Sequence, residues 1–281
     1  MPVALLFCEG GGSSPDAIVL NHVLAGTGCE IRPGGGKHEL SKRIMATRAK
    51  GLRSAGIRDR DFDDEESSES LSLPQKWSEN WDDKEEWLGW QWERREIENY
   101  LLDPQVVQKA LGDEAPDPRR FEEALTKACT ELGFYMAARH TLSSSRRRFE
   151  RLENRWGRKR GQGKHPLPDE RTEKSCRQAL KDNLQKWMRG NQVNVNEVMA
   201  RFESFIPLYQ AGGVYYERAL TFFAGKDILY TMEPELTSMG FISPLGFRNK
   251  VISGIEKAAD AWTWLPEWGR LRQEVMRARF P

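Results

Sequence analysis

Val3-Ala4-Leu5-Leu6-Phe7-Cys8-Glu9-Gly10-Gly11-Gly12-Ser13-Ser14-Pro15-Asp16 is the stretch on which the fold turns. Val3 to Cys8 is an apolar run without polar alternation, the pattern of a strand buried on both faces. At Glu9 the run gives way to three glycines, after which serine can cap a helix and Pro15 can occupy its first turn. Ile18, Val19, His22, Val23 and Leu24 then continue at helical spacing. The order is strand, glycine turn, helix. A carboxylate set between a buried strand and a glycine turn is costly unless paired or solvated, which singles out Glu9.

Working outward, Cys29 to Arg32 reads as a second strand. The turn Pro33-Gly34-Gly35-Gly36-Lys37 follows it, then a helix to about Arg53. Ala55-Gly56-Ile57 is a third short strand, running into Asp59-Arg60-Asp61-Phe62-Asp63-Asp64. This alternation predicts a parallel sheet with helical crossovers and puts the acidic clusters at carboxyl ends of strands, where open α/β sheets place their sites. Residues 65–85, rich in Ser, Glu, Asp and Lys, read as a mobile loop. Trp87 to Trp92 is a further strand, delivering the chain to Arg94-Arg95-Glu96-Ile97-Glu98-Asn99-Tyr100-Leu101-Leu102.

Beyond Pro104 the pattern turns helical, over Val106–Leu111, Phe121–Leu132, Glu173 to about Phe205, Tyr215–Phe223, Phe247–Trp264 and Glu267–Arg279. The expected architecture is an α/β domain over residues 1–135, with a mostly parallel sheet flanked by helices. A mainly helical domain over 136–281 follows, the boundary falling between Glu131 and Ser145.

Composition narrows the function classes. With 38% hydrophobic residues and ten tryptophans the chain can build a core, so it is not of the disordered class. The amino terminus lacks a basic region before its short apolar run, and no stretch nears the roughly 20 apolar residues of a membrane helix. A cytoplasmic location is the expectation. Cys8, Cys29, Cys129 and Cys176 lack the paired spacing of a zinc site and read as reduced thiols. The net charge of +1 hides an asymmetry. Asp59 to Glu98 holds fifteen acidic residues against five basic, and Arg146 to Lys164 holds nine basic against two acidic. That pairing suits a protein holding cations in one place and a polyanion in another, although two solvated faces of opposite sign would look the same.

Glu9, the Asp59/Asp61/Asp63 cluster and Glu98 each follow a predicted strand, so the fold can gather them at one sheet edge. Hard Mg²⁺ prefers carboxylate oxygens. An Asp-x-Asp pair continuing a strand sends both side chains to one side. Two such oxygens plus Glu9 would hold one ion and Glu98 a second, the two-metal arrangement that cleaves phosphodiesters. By spacing alone, an acidic turn with helix-capping aspartates is the better account of Asp59 to Asp64.

Leu6-Phe7-Cys8-Glu9-Gly10, the Pro33–Lys37 turn, Asp59-Arg60-Asp61-Phe62-Asp63 and Arg95–Leu102, in that order, resemble the Toprim domain of OLD-type nucleases. They resemble most closely the stand-alone Toprim effectors of bacterial anti-phage systems, such as the toxin subunit of PARIS. The resemblance covers roughly residues 3–104. It implies Glu9 as general acid/base or metal ligand, Asp59 and Asp61 as the metal-binding pair, Glu98 as a later ligand and Asp63 as an auxiliary. Such relatives often carry another acidic residue soon after the first glutamate. Here Ser13 stands at that place, and Asp16 is the candidate for a displaced ligand. No late catalytic lysine can be matched.

The resemblance further implies a toxic nuclease using Mg²⁺ (or Mn²⁺), as two ions, that cleaves DNA or RNA. It also implies an ABC-type ATPase partner subunit and a homodimer when active. The rival is a Toprim-like subunit that binds nucleic acid or a partner without turnover, which the Ser13 position favours. A primase or topoisomerase would need a nucleotide-binding element or a nucleophilic tyrosine, and the sequence nominates neither.

Gly34-Gly35-Gly36-Lys37-His38 lacks the spacing of a phosphate-binding P-loop, since Ile31 and His38 occupy positions that motif needs otherwise. Lys37 could still touch a substrate phosphate, against the alternative of a simple structural turn. In the basic segment, Arg148, Arg151 and Arg155 share a face at helical spacing suited to tracking phosphates, and Trp156 could stack on an unpaired base. Arg146, Arg147, Arg158, Lys159 and Arg160 extend this nucleic-acid candidate, which a basic patch docking on an acidic partner would equally explain. The four histidines show no metal-ligand spacing, no serine-hydrolase elbow occurs, and Tyr209, Tyr215 and Tyr216 read as core or surface aromatics.

Overall fold

The computed structural model describes residues 2–62, 74–145, 154–160, 165–187 and 194–280. The chain opens with strand β1 (Leu5–Cys8), buried along its whole length, and helix α1 (Pro15–Val23). Ser14 caps α1, its hydroxyl accepting from the Ala17 N–H, a contact worth about 1 kcal/mol. Strand β2 (Glu30–Pro33) and helix α2 (Lys37–Arg48) follow. Helix α2 ends short of the expected Arg53 because the chain turns at Gly51, whose φ of 77° favours glycine. Strand β3 (Ser54–Arg58) completes the second alternation.

The stretch expected to be a loop corrects the sequence reading in its described part. Gln75–Trp81 is strand β4, and the strand expected at Trp87–Trp92 is β5, which begins earlier, at Lys84, and ends at Gln91. Residues 63–73 lie outside the described ones. The strands join at Asp82 and Asp83, both at positive φ (48° and 60°), the two-residue geometry whose twist matches a hairpin. Helices α3 (Ile97–Leu101) and α4 (Pro104–Leu111) then lead to the long helix α5 (Pro118–Ser144).

Next comes a small antiparallel ribbon, β6 (Arg158–Arg160) with β7 (His165–Leu167), which sequence periodicity did not announce. Helices α6 (Glu173–Trp187) and α7 (Val195–Tyr209) cover the expected helical run. Three short helices follow, α8 (Ala219–Phe222), α9 (Gly225–Thr231) and α10 (Glu233–Ser238). The chain closes with α11 (Pro244–Lys257) and α12 (Pro266–Arg277). No helix among the described residues is long and apolar enough to cross a membrane.

Strands β1 to β5 form one sheet in the order β2-β1-β3-β5-β4. All neighbours run parallel except β4 against β5, so the protein is α/β with a mostly parallel sheet flanked by helices. The register pairs Cys8 with Ile57, which sets Glu9 and Asp59 just past the carboxyl ends of adjacent strands. Phe7, Leu40, Ile44, Trp77 and Leu88 pack into one buried cluster between α2 and the sheet. Each large side chain removed from water there contributes roughly 1.5–3 kcal/mol.

The chain divides into two compact units, and not at residue 135. The sheet unit comprises residues 1–60, 69–115 and 248–281; the helical unit comprises 61–68 and 116–247. In the sheet unit, α12 returns to the first strand, the Val3 N–H donating to Val275 O at 3.0 Å. Glu267 of α12, buried, accepts from the Glu93 N–H at 2.8 Å and from the Tyr100 hydroxyl. In the helical unit α5 packs against α6, α7 and α9. Its Arg139 and the α9 residue Asp227 form a fully buried ion pair. Asp227 also bonds His165 Nε2 at 2.5 Å. Tyr209 and Tyr215 are buried in this unit as core aromatics.

Candidate functional site

Glu9 stands where β1 stops. Gly10 follows with φ of 84°, and a Cβ there would come 2.7 Å from Ser14 Cβ, so glycine is needed for the turn to close. Gly10 exchanges backbone hydrogen bonds with Gly35, clamping the first turn to the loop before α2. The Ser14 hydroxyl donates to Glu9 O at 3.3 Å while capping α1. With its backbone fixed in this way, Glu9 reaches across to β3, where its Oε1 accepts from the Asp59 N–H at 3.1 Å. This bond spans fifty residues and ties together the two acidic positions that the sequence singled out.

Cys8 reports on the surroundings. Burial pushes its thiol up to about 12, and the negative charges of Asp16, Asp59 and Glu9 add to that effect in decreasing order after it. Three half-buried carboxylates therefore lie within electrostatic reach of the end of β1. Asp16, in the first turn of α1, belongs to this group; Ser13 is exposed in the turn. Cys8 remains a thiol near neutral pH, so these charges do not create a cysteine nucleophile.

The connection after β3 meets the one after β5. The Arg60 N–H donates to Arg95 O at 3.0 Å, and the buried Arg60 side chain donates from Nη1 to Glu93 O at 2.7 Å. Glu98 follows in α3, 1% exposed, with Arg248 Nη1 of α11 at 3.5 Å from its Oε1. Arg94 holds the same segment, pairing with Asp103 at 2.6 Å and lying over the Tyr100 ring at 4.8 Å. Sequence reasoning missed Arg248, Glu267 and the buried Arg60 and Arg95. The arginines could have been noticed beside their acidic neighbours, but nothing local marks residues that arrive from far along the chain.

Asp61 differs from Asp59. Strand β3 ends at Arg58, so the alternation that would carry both aspartates to one side does not extend over them, and Asp61 opens the segment grouped with the helical unit. Asp63 lies outside the described residues. Among the described residues, no three Asp, Glu, His or Cys side chains stand close enough to ligate one ion. The donor set nonetheless suits magnesium, which keeps several waters and is bound by one or two carboxylates rather than by an all-protein cage.

Of the basic candidates, Arg146, Arg147, Arg148 and Arg151 lie outside the described residues. Lys37 begins α2 after the glycine turn, its side chain outside the description. Arg155 lies in an irregular segment, residues 154–157, and not in a helix. Arg158, Lys159 and Arg160 instead form a strand. Arg158 is 85% exposed at its side chain and 3.6 Å from Asp169. Trp156, half-buried, packs edge-on against Tyr135 with centroids 4.7 Å apart. No protein-family model and no curated protein matches the chain.

Proposed function

We propose that the chain is a magnesium-dependent nuclease whose reaction is centred on Glu9 and Asp59. The observation that carries this reading is the hydrogen bond from the Asp59 backbone N–H to Glu9 Oε1, just past the carboxyl ends of two adjacent parallel strands, with the Asp16 charge felt at the end of the first. Open α/β sheets place their chemistry there, and paired carboxylates in a fixed frame are what a hard cation needs. Glu9 would both ligate and act as general acid/base, Asp59 would complete a two-carboxylate set on one ion, Asp16 would add negative charge beside it, and Glu98 would serve a second ion. When bound, Mg²⁺ or Mn²⁺ would polarise the phosphoryl group and activate water. The protein's own work is to fix Glu9 beside Asp59, through the Gly10–Gly35 clamp and the Asp59 N–H.

On this reading the fold is Toprim-like and the protein a toxic effector of anti-phage defence acting in the cytoplasm. An ABC-type ATPase subunit would restrain it, and it would work as a homodimer with two ions. The basic β6 strand would contact DNA or RNA. The test is cleavage of plasmid DNA or total cellular RNA by the purified chain with Mg²⁺ or Mn²⁺, abolished by EDTA. A second reading, a nucleic-acid-binding subunit without turnover, draws on one observation. The exposed side chains of Arg158 and Lys159 need no metal to attract phosphates. Retention of labelled nucleic acid without cleavage in any metal would favour it.

A further inference from the structure

The sheet unit carries a concavity of about 490 Å³ whose lining includes neither Glu9 nor Asp59. It is bounded by the end of α2, by β4 and β5, and by the last turn of α12 with the segment after it. Its volume falls within the usual range for small-ligand sites, and three features of its wall define what it can hold.

The first is positive charge. Arg48 is fixed in the wall, its Nε donating to Ser54 O at 2.8 Å and its Nη1 to Trp87 O at 2.6 Å. Its guanidinium lies 5.4 Å from the Trp87 ring centroid and 5.3 Å from that of Phe280. Nη2 is buried with no hydrogen-bond acceptor. Burial depresses the proton affinity of Arg48, and Glu86 only partly opposes this, so its charge is under-compensated where it stands. Lys76, Arg277 and Arg279 line the pocket from exposed positions, with no ion-pair partner among the described residues. An anion with several oxygens satisfies this set, and arginine suits phosphate in particular.

The second feature is aromatic. Half-buried Trp87 lines the pocket, its ring held by Trp90 edge-on at 5.2 Å, by Phe280 at 5.7 Å and by the Arg48 guanidinium, which gives a π surface in a fixed orientation. The third is a pair of carboxylates, Glu86 and Glu274, which accept from hydroxyl or amino groups and would repel a plain polyanion. Phosphate, a planar ring and hydrogen-bond donors occur together in a nucleotide.

We infer that this pocket binds a nucleotide, its phosphates on Arg277, Arg279 and Lys76, its base against Trp87, and its ribose or amino donors toward Glu86 and Glu274. The nucleotide comes either as a free nucleoside triphosphate or as a unit of a single strand. The site is independent of the cleavage chemistry, so binding is read in EDTA, where no reaction proceeds.

The experiment measures fluorescence anisotropy of the full chain with labelled ATP, labelled GTP and a labelled short single-stranded oligonucleotide, with pyrophosphate as competitor. Saturable binding is expected, weakened by about tenfold or more in Arg277→Glu/Arg279→Glu, as removal of charge-assisted hydrogen bonds implies. Arg279→Glu alone, beyond the end of α12, supplies a variant that leaves the fold intact, and Trp87→Leu tests the ring. Binding of the triphosphates alone assigns the free nucleotide, and binding of the oligonucleotide assigns the strand. Absence of saturable binding, binding unchanged in all three variants, or pyrophosphate competing as well as ATP would each overturn the inference.

Discussion

Glu267 shows how a residue distant in sequence governs the candidate site's frame. Its carboxyl is pushed up to about 7 by burial, while the Glu93 N–H and the Tyr100 hydroxyl act against that shift. In the unfolded chain a glutamate titrates near 4.3, so the folded state binds this proton more tightly. Its contribution to stability is therefore fully present below about pH 4.3 and is lost as pH rises through about 7. Unfolding monitored by urea from pH 5 to 8 should show this fall. Glu267→Gln should flatten it, because an amide keeps an acceptor for Glu93 N–H without a charge to desolvate. A slope unchanged by the substitution would contradict the assignment. Gly10 is the second such residue. Gly10→Ala sets a Cβ against Ser14 at positive φ and should cost about 1–3 kcal/mol in urea unfolding, by the usual scale of backbone strain.

At the scale of elements, the strand-turn-helix around Glu9 was legible because a buried run, a glycine break and a capping serine each carry a local cause. Of the β4–β5 hairpin only the second strand was legible, from Trp87 on; the first, an edge strand whose polar residues Gln75, Lys76, Ser78, Glu79 and Asn80 mask its period, was not. The acidic pair was legible as far as Glu9 and Asp59. The further step to Asp61 relied on strand alternation that stops at Arg58. The ribbon was missed because three-residue strands carry too little pattern to show a period. It is anchored by His165 on Asp227, which Arg139 also pairs. Arg139→Met leaves a buried aspartate short of its cation and should destabilise the helical unit by about 3–5 kcal/mol in denaturant titration. If the ribbon tracks phosphates, Arg158→Glu with Lys159→Glu should lower the slope of log K against log salt by about one for each phosphate no longer neutralised. An unchanged slope would place nucleic-acid binding elsewhere.

For the whole molecule, the division of the chain was the least legible feature. Helical periodicity marks a helix without saying what it packs against, and residues 248–281 return to the sheet unit after a long helical excursion. A fragment of residues 1–135 lacks the hydrogen bonds that Val275 and Glu267 make to the sheet unit. It should therefore fail to give a cooperative unfolding transition by circular dichroism. A stable fragment would show that the sheet needs no help from the carboxyl-terminal helices.

The sharpest test of the nuclease reading compares the full chain with Glu9→Gln and Asp59→Asn on plasmid DNA and total RNA, in Mg²⁺, Mn²⁺ or EDTA. Cleavage that requires metal and is lost in both folded variants is the expected result. Cleavage that persists in both variants, or no cleavage by the unsubstituted chain in any metal, would contradict it.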